Sequence, residues 1–272
     1  MKEDMRLPIK HWSYSSLMAF LRNPLAWYKR YVEEIYDTPS SPSSVIGRAA
    51  HKAVEHFYGG IGKEGAIAIG LEYLRDIPDF EINFGKAKSR AAKKKRRAAM
   101  EREYTQAVSF FLARPPRYKV LGIEVKAIAK VPGIILPVKA VSDLVVQSRV
   151  DPKAVDIVDH KFVDSFSPLR AEKSLFMIQA LFNYYTVREA LQKEVHRFIV
   201  HECKKSKNAD GSAQLRRYAI TFGDRKDDFV LFHRLLADAT EELVRRRVYL
   251  PNPSDMFEGE DSLAVYRMGL AE

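Results

Sequence analysis

From Trp12 to Val32, aromatic and aliphatic residues recur at helical spacing behind a Ser13-Tyr14-Ser15-Ser16 cap. Asn23-Pro24 interrupts the run, so the pattern predicts a pair of short helices. A Ser/Pro linker from Thr38 to Ser44 leads into a predicted helix over Val45–Tyr58 with Ile46, Ala50, Ala53, Val54 and Phe57 on its buried side. Met100, Tyr104, Val108 and Phe111 form the apolar stripe of a long helix from about Lys86 to Leu112. After Tyr118 the period changes. β-branched runs at Val120–Ala129, Val138–Gln147 and Ala154–Val163, separated by Pro132-Gly133 and Asp151-Pro152, predict antiparallel strands. A helix over Leu169–Leu191 follows, then strands at Val195–Cys203 and Arg216–Thr221 joined by a polar hairpin through Asn208–Gly211. A last helix, Asp227–Val248, is stopped by Pro251-Asn252-Pro253. With no internal repeat or boundary, the expectation is a single α+β domain over residues 1–272. Its parts are a helical N-terminal portion (1–44) and a core (45–272) carrying a basic helical insertion around 86–112.

Composition narrows the setting. At 272 residues and 46% hydrophobic the chain can bury a core without staples, and its single cysteine, Cys203, excludes an internal disulfide framework. No stretch approaches the roughly 18 apolar residues of a membrane span, and Met1–Lys10 lacks the apolar run of a signal peptide. A cytoplasmic protein of a bacterial or phage-infected cell is expected, with no membrane partner. The net charge of +10 favours a polyanion. Much of it falls in the predicted long helix, where Lys93, Lys94, Lys95, Arg96 and Arg97 follow Lys86, Lys88 and Arg90. Cations in the first half of a helix oppose its dipole and one another, which favours a bound phosphate there over a merely solvated face.

The candidate chemistry lies on the strands. Residues two apart share a face, so Asp159 and Lys161 stand together with Ile157 and Val163, while Val141, Asp143 and Val145 project together from the preceding strand. If the two strands pair through the Asp151-Pro152 turn, Asp143 approaches Asp159. Carboxylates on an apolar face are costly unless paired or bound to a cation such as Mg²⁺ or Mn²⁺, although Asp-x-Lys alone equally describes an exposed ion pair. On the helix before them, Gly47 sits one turn ahead of His51 and leaves room above an imidazole that could lean out to a metal. Glu124 alternates away from Leu121, Ile123 and Val125, and therefore away from this group.

In order, Gly47-x-x-x-His51, Asp143, Ile157-Val158-Asp159-His160-Lys161 and Gln179 resemble the RecB-like branch of the PD-(D/E)XK nucleases. Ser13-Tyr14-Ser15-Ser16-Leu17 through Asn23-Pro24 to Val32 resembles that family's N-terminal signature, and Pro251-Asn252-Pro253 the run that closes many members. The resemblance implies a restriction-endonuclease-like core with a mixed sheet between helices. It also implies a Mg²⁺ or Mn²⁺ ion held by His51, Asp143, Asp159 and the His160 carbonyl, with Lys161 acting on the attacking water. Gln179 and Tyr184 are expected at the DNA, together with Lys93, Lys94, Lys95, Arg96 and Arg97. Relatives with an iron–sulfur cluster place cysteines at the position of Asn23 and near the C-terminus. This chain has none there, and one cysteine cannot hold a cluster that takes about four thiolates. The implied activity is a DNA exonuclease acting on single strands or ends in recombination, repair or phage DNA processing. The alternatives are a structure-specific endonuclease or a non-catalytic DNA-binding adaptor. Without a Walker sequence, any unwinding needs a separate helicase or recombination partner.

Overall fold

The β-branched runs become the centre of one mixed sheet. The computed structural model describes residues 7–35, 39–166, 169–245 and 248–255. Its strands are β1 (Trp12–Ser13), β2 (Val120–Ala129), β3 (Val138–Gln147), β4 (Val155–Val163), β5 (Val195–Lys207) and β6 (Ala213–Thr221). They run in the order β1-β3-β4-β5-β6, with β2 also on β3. The β2–β3, β3–β4 and β5–β6 pairs are antiparallel, whereas β1–β3 and β4–β5 are parallel. Trp12 stands just ahead of the helix cap at Ser13. It opens β1, is fully buried, and donates from its indole N–H to the Thr240 hydroxyl at 3.0 Å.

Helices cover both faces. α1 (Tyr14–Arg22), α2 (Pro24–Tyr31), α6 (Leu169–Leu191) and α7 (Lys226–Val244) close one side over Trp27, Val145, Ile157, Phe182, Phe198 and Phe232. α3 (Pro42–Tyr58), α4 (Lys63–Asp76) and α5 (Arg90–Ala113) close the other over Ala49, Ala53, Met100, Phe111, Phe162 and Cys203. α3 starts earlier than its hydrophobic pattern because Ser41 accepts from the Ser44 N–H and Pro42 occupies the first turn, so the end of the predicted linker is helical. Its start is tied to the sheet, since the Ser43 hydroxyl donates to Asp164 at 2.8 Å.

α4 has no counterpart in the sequence reading. Its buried positions, Ala66, Gly70 and Leu74, are too small and sparse for a strong stripe. A Cβ at Gly70 would lie 2.6 Å from the Ala49 carbonyl oxygen and 2.1 Å from the Tyr104 hydroxyl. Glycine therefore lets α4 lie directly on α3 and α5. The basic half of α5 does not project freely, because the end of α4 packs against it. The Arg97 guanidinium pairs with Asp79 at 2.9 Å and donates to the carbonyls of Leu74 and Ile77, capping the end of α4. Arg96 pairs with Glu103, and the Lys93 ammonium lies 5.9 Å from the Phe84 ring centroid. Lys94 and Lys95 remain exposed.

The segment after α7 meets the N-terminal helices. Asn23 caps α2 by accepting from the Ala26 N–H at 3.1 Å, the Asn252 amide donates to the Arg22 carbonyl at 2.8 Å, and Tyr249 stacks on Tyr28 with ring centroids 4.7 Å apart. The proline run after α7 thus closes over the N-terminal helices by hydrogen bonds and aromatic contact. Among the described residues, no helix is long and apolar enough to cross a membrane.

Candidate active site

The site forms where the sheet forks. β3 and β4 pair from Gln147/Val155 to Leu144/Val158, and the two aspartates are the next residue along on each strand. Because β2 occupies the whole of one edge of β3, β1 and β4 share the other, leaving residues 140–143 without a strand on that side. Backbone groups left at such a fork need new partners. The His160 N–H finds one in Asp143 Oδ2 at 2.9 Å, so the side chain of Asp143 stands in for the missing ladder.

The strand also changes face here. Ser142 donates to Asn183 of α6 at 2.6 Å, whereas Leu144, two residues on, packs on the opposite side with Val158 and Ile199. The slip falls at Asp143. Opposite it, between the pairs Ile123↔Leu144 and Val125↔Ser142, Glu124 has φ +49°. A left-handed conformation at a non-glycine residue is unfavourable, and here it coincides with the face change, Asp143 and Leu144 both lying on the α3 side. The expected projection of Val141, Asp143 and Val145 onto one face therefore fails at Val145, which stays in the α6-side core.

Two helical layers supply the rest. From α3, His51 Nδ1 comes within 3.2 Å of Asp143 Oδ2. On β4, Lys161 Nζ donates to Asp159 Oδ1 at 3.0 Å and lies 2.9 Å from Oδ2, and from α6 the Gln179 amide donates to Oδ1 at 2.9 Å. The space around Gly47 is open, as a Cβ there would meet nothing within 4 Å. The structure thus brings together His51, Asp143, Asp159, Lys161 and Gln179.

Their charges are interdependent. Burial alone would raise the pKa of Asp143, but the His51 charge and hydrogen bonds from His160 and His51 hold it well below the usual carboxylate range. Asp159 is pushed the other way, by burial and then by Asp143, against the pull of Lys161. His51 and Lys161 both lose solvation on burial, yet the neighbouring aspartates outweigh that loss and raise their pKa values. Two carboxylates that each feel the other's charge in a desolvated fork form an anionic centre suited to a hard cation.

Among the described residues, no three His, Cys, Asp or Glu side chains already converge at ligand spacing: His51 leans on Asp143, and Asp159 on Lys161 and Gln179. The residues nevertheless fit a divalent ion. Asp159 Oδ2 is buried and, despite the nearby ammonium, has no aligned hydrogen-bond donor, and the available donors are imidazole nitrogen and carboxylate oxygen.

Glu124, which alternation pointed away, lines the same cavity as His51 and Asp143. Burial and then Asp143 raise its pKa. The signal that could have found it was its register position opposite Asp143. The ring of His160 reaches only the edge of the site, where its Nδ1 lies 3.8 Å from Asp143 Oδ2. It is buried between Tyr58 and His201, with centroids 6.0 and 5.7 Å away, and meets Phe111 edge-on. Tyr184 packs on Phe222 and Phe229, away from Gln179. Asn183 takes the place one helical turn beyond Gln179 and donates to its carbonyl. Of the basic run on α5, Arg96 pairs with Glu103, Arg97 with Asp79, and Lys93 lies over Phe84, all apart from Asp143 and Asp159.

Comparison with known proteins agrees with this arrangement. The model of the PD-(D/E)XK nuclease superfamily matches residues 11–256. No curated protein matches. Among solved structures, a candidate exonuclease from Eubacterium rectale superposes with a TM-score of 0.56 at 14% identity, covering 87% of this chain and 80% of that one, which is a likeness of fold. SSO0001 aligns over 84% of each chain at 13% identity with a TM-score of 0.32, too loose to bear on the site. A family match over nearly the whole chain and a carboxylate–lysine cluster at the sheet fork lead to one conclusion: the chain belongs to the PD-(D/E)XK nuclease superfamily.

Proposed function

We propose that the protein is a Mg²⁺- or Mn²⁺-dependent DNA exonuclease that hydrolyses phosphodiester bonds at single-stranded DNA or DNA ends, in recombination, repair or phage DNA processing. The observation that carries this reading is the Asp159 carboxylate: one oxygen is held by Lys161 and Gln179, and the other is buried without an aligned donor, facing the charge of Asp143. His51, Asp143, Asp159 and the His160 carbonyl would hold the ion. When bound, it acidifies a water molecule and offsets charge developing on the phosphate.

The chain's own residues do the rest. Gln179 and Lys161 fix the Asp159 carboxylate, and the His160 N–H fixes Asp143. The neighbouring aspartates raise the pKa of Lys161, and as a cation it would orient the nucleophile and stabilise the anionic transition state. Glu124 adds a carboxylate at the edge of the cleft. On α5, Lys94 and Lys95 are free to contact phosphates without reading bases, while Arg97 has a structural task.

The test compares linear and closed-circular single-stranded DNA with Mg²⁺ or Mn²⁺. Linear strands should be degraded and circles spared, and a chelator should stop the reaction. Ca²⁺, whose coordination is looser, should not replace either ion. Circles cut as fast as linear strands would establish the endonuclease alternative. Cleavage of neither would leave only the adaptor.

A further inference from the structure

We infer that the open cleft beside the carboxylates is a subsite for a single unpaired nucleotide, with Arg48 and Lys52 receiving its phosphate and Tyr73 and Val141 its base. The inference rests on the nuclease reading and adds the part of the substrate that the protein holds.

The cleft encloses about 400 Å³ and is lined by α3, α4, β2 and β3. Sites for small ligands span about 300–1,000 Å³, so this one has room for a ligand the size of a nucleotide. α3 supplies its wall, because residues three and four apart share a helix face: Arg48, His51, Lys52 and Glu55 lie on one side. His51, Asp143 and Glu124 form the anionic end, where cleavage would occur.

The remaining lining is unlike a metal site. Arg48 is exposed and spends one donor on the Ser40 hydroxyl at 3.2 Å, leaving others of its guanidinium for a phosphate. Lys52 is held over the cleft by Glu55 at 2.9 Å. Tyr73, half-buried on α4, brings an aromatic ring, and Val141 leaves an apolar side chain 45% exposed two residues from the partly buried Asp143. Cations, a ring and an exposed apolar side chain beside an anionic centre match the parts of one nucleotide next to the phosphate being cut. This combination of backbone charge and base stacking is how proteins hold single strands without reading sequence. A duplex would have to fray before its terminal nucleotide entered.

The experiment uses end-labelled oligothymidylates carrying an abasic residue at each of the first few positions from the end. Binding is read by fluorescence anisotropy in Ca²⁺ and cleavage by single-turnover kinetics in Mn²⁺, for the parent, Tyr73→Ala, Tyr73→Phe and Arg48→Ala. At one position, loss of the base should weaken parental binding about ten-fold, the order expected for one stacked base. Tyr73→Ala should bind the intact oligonucleotide more weakly and no longer sense the missing base, Tyr73→Phe should behave as the parent, and Arg48→Ala should lose affinity while still sensing the base. The subsite is overturned if no position discriminates in the parent, or if Tyr73→Ala and Arg48→Ala bind with parental affinity and discrimination. Because anisotropy needs no cleavage, an inactive parent that still discriminates would refute the nuclease reading and leave the subsite standing.

Discussion

Lys161→Ala should lower the single-turnover cleavage rate by about 10²–10³-fold, the loss typical of removing one preorganised group aimed at developing charge. Lys161 is the cation that the structure sets against Asp159, at 2.9–3.0 Å from both its oxygens, and the aspartates raise its pKa. Its removal leaves more negative charge around the ion, so Mn²⁺ affinity should hold or rise. DNA affinity should change little, because one charge among many phosphate contacts is lost. The fold should survive, since Gln179 continues to hold Asp159. Circular dichroism, Mn²⁺ calorimetry and DNA anisotropy, measured beside the rate, separate a chemical defect from misfolding. Lys161→Arg should recover little, because a planar guanidinium does not present the compact charge of an ammonium. Cleavage by Lys161→Ala at the parental rate would remove lysine from the mechanism.

A second large effect is acid lability through His201. Its ring lies in an aromatic box on the α5 side of the sheet and is held by the Tyr118 hydroxyl at 2.8 Å. Burial first, then the His160 ring and the Arg217 guanidinium, lower its pKa from 6.5 to about 3. Tyr118, whose own pKa is raised by burial, shares this hydrogen bond with the neutral imidazole. A histidine that binds its proton more weakly when folded contributes stability that is complete above pH 6.5 and is lost as the pH falls towards 3. The full shift corresponds to at most ~5 kcal/mol, a sizeable share of a typical folding free energy of about 5–15 kcal/mol. Urea midpoints should fall steeply between neutral pH and pH 4. Asp143, with its lowered pKa, also loses stability in acid, so the diagnostic comparison is His201→Gln. That variant should be weaker than the parent at pH 7.5 and show a flatter pH slope, and an unchanged slope would take His201 out of the account.

Much of this architecture was legible in the chain because its signals are local. β2 and β3 begin and end where the β-branched runs do, α6 matches its predicted span, and Asn23-Pro24 divides α1 from α2. The ordered set of His51, Asp143, Asp159, Lys161 and Gln179 also converges, since each sits on an element with a clear period. What escaped depends on tertiary contacts. α4 has a weak stripe because Gly70 allows contact that larger residues would block. Glu124 and Leu144 break the alternation at the fork, so a rule built on regular strands misplaced Glu124 and Val145. Arg97 looked like one more cation in a basic run until α4 supplied the carbonyls it caps. Tyr184 carried an expectation from the resemblance that the packing of α6 on α7 redirects into the core.

The central claim is that His51, Asp143 and Asp159 form the metal centre of a nuclease, and Mn²⁺ calorimetry on the parent and Asp143→Asn, paired with cleavage assays, tests it most directly. Asparagine keeps the shape of Asp143 and the acceptor for the His160 N–H, so the fork should persist while one ligand charge disappears. The parent should bind Mn²⁺, and Asp143→Asn should lose metal affinity and cleavage together. Full metal affinity and full activity in Asp143→Asn would contradict the claim.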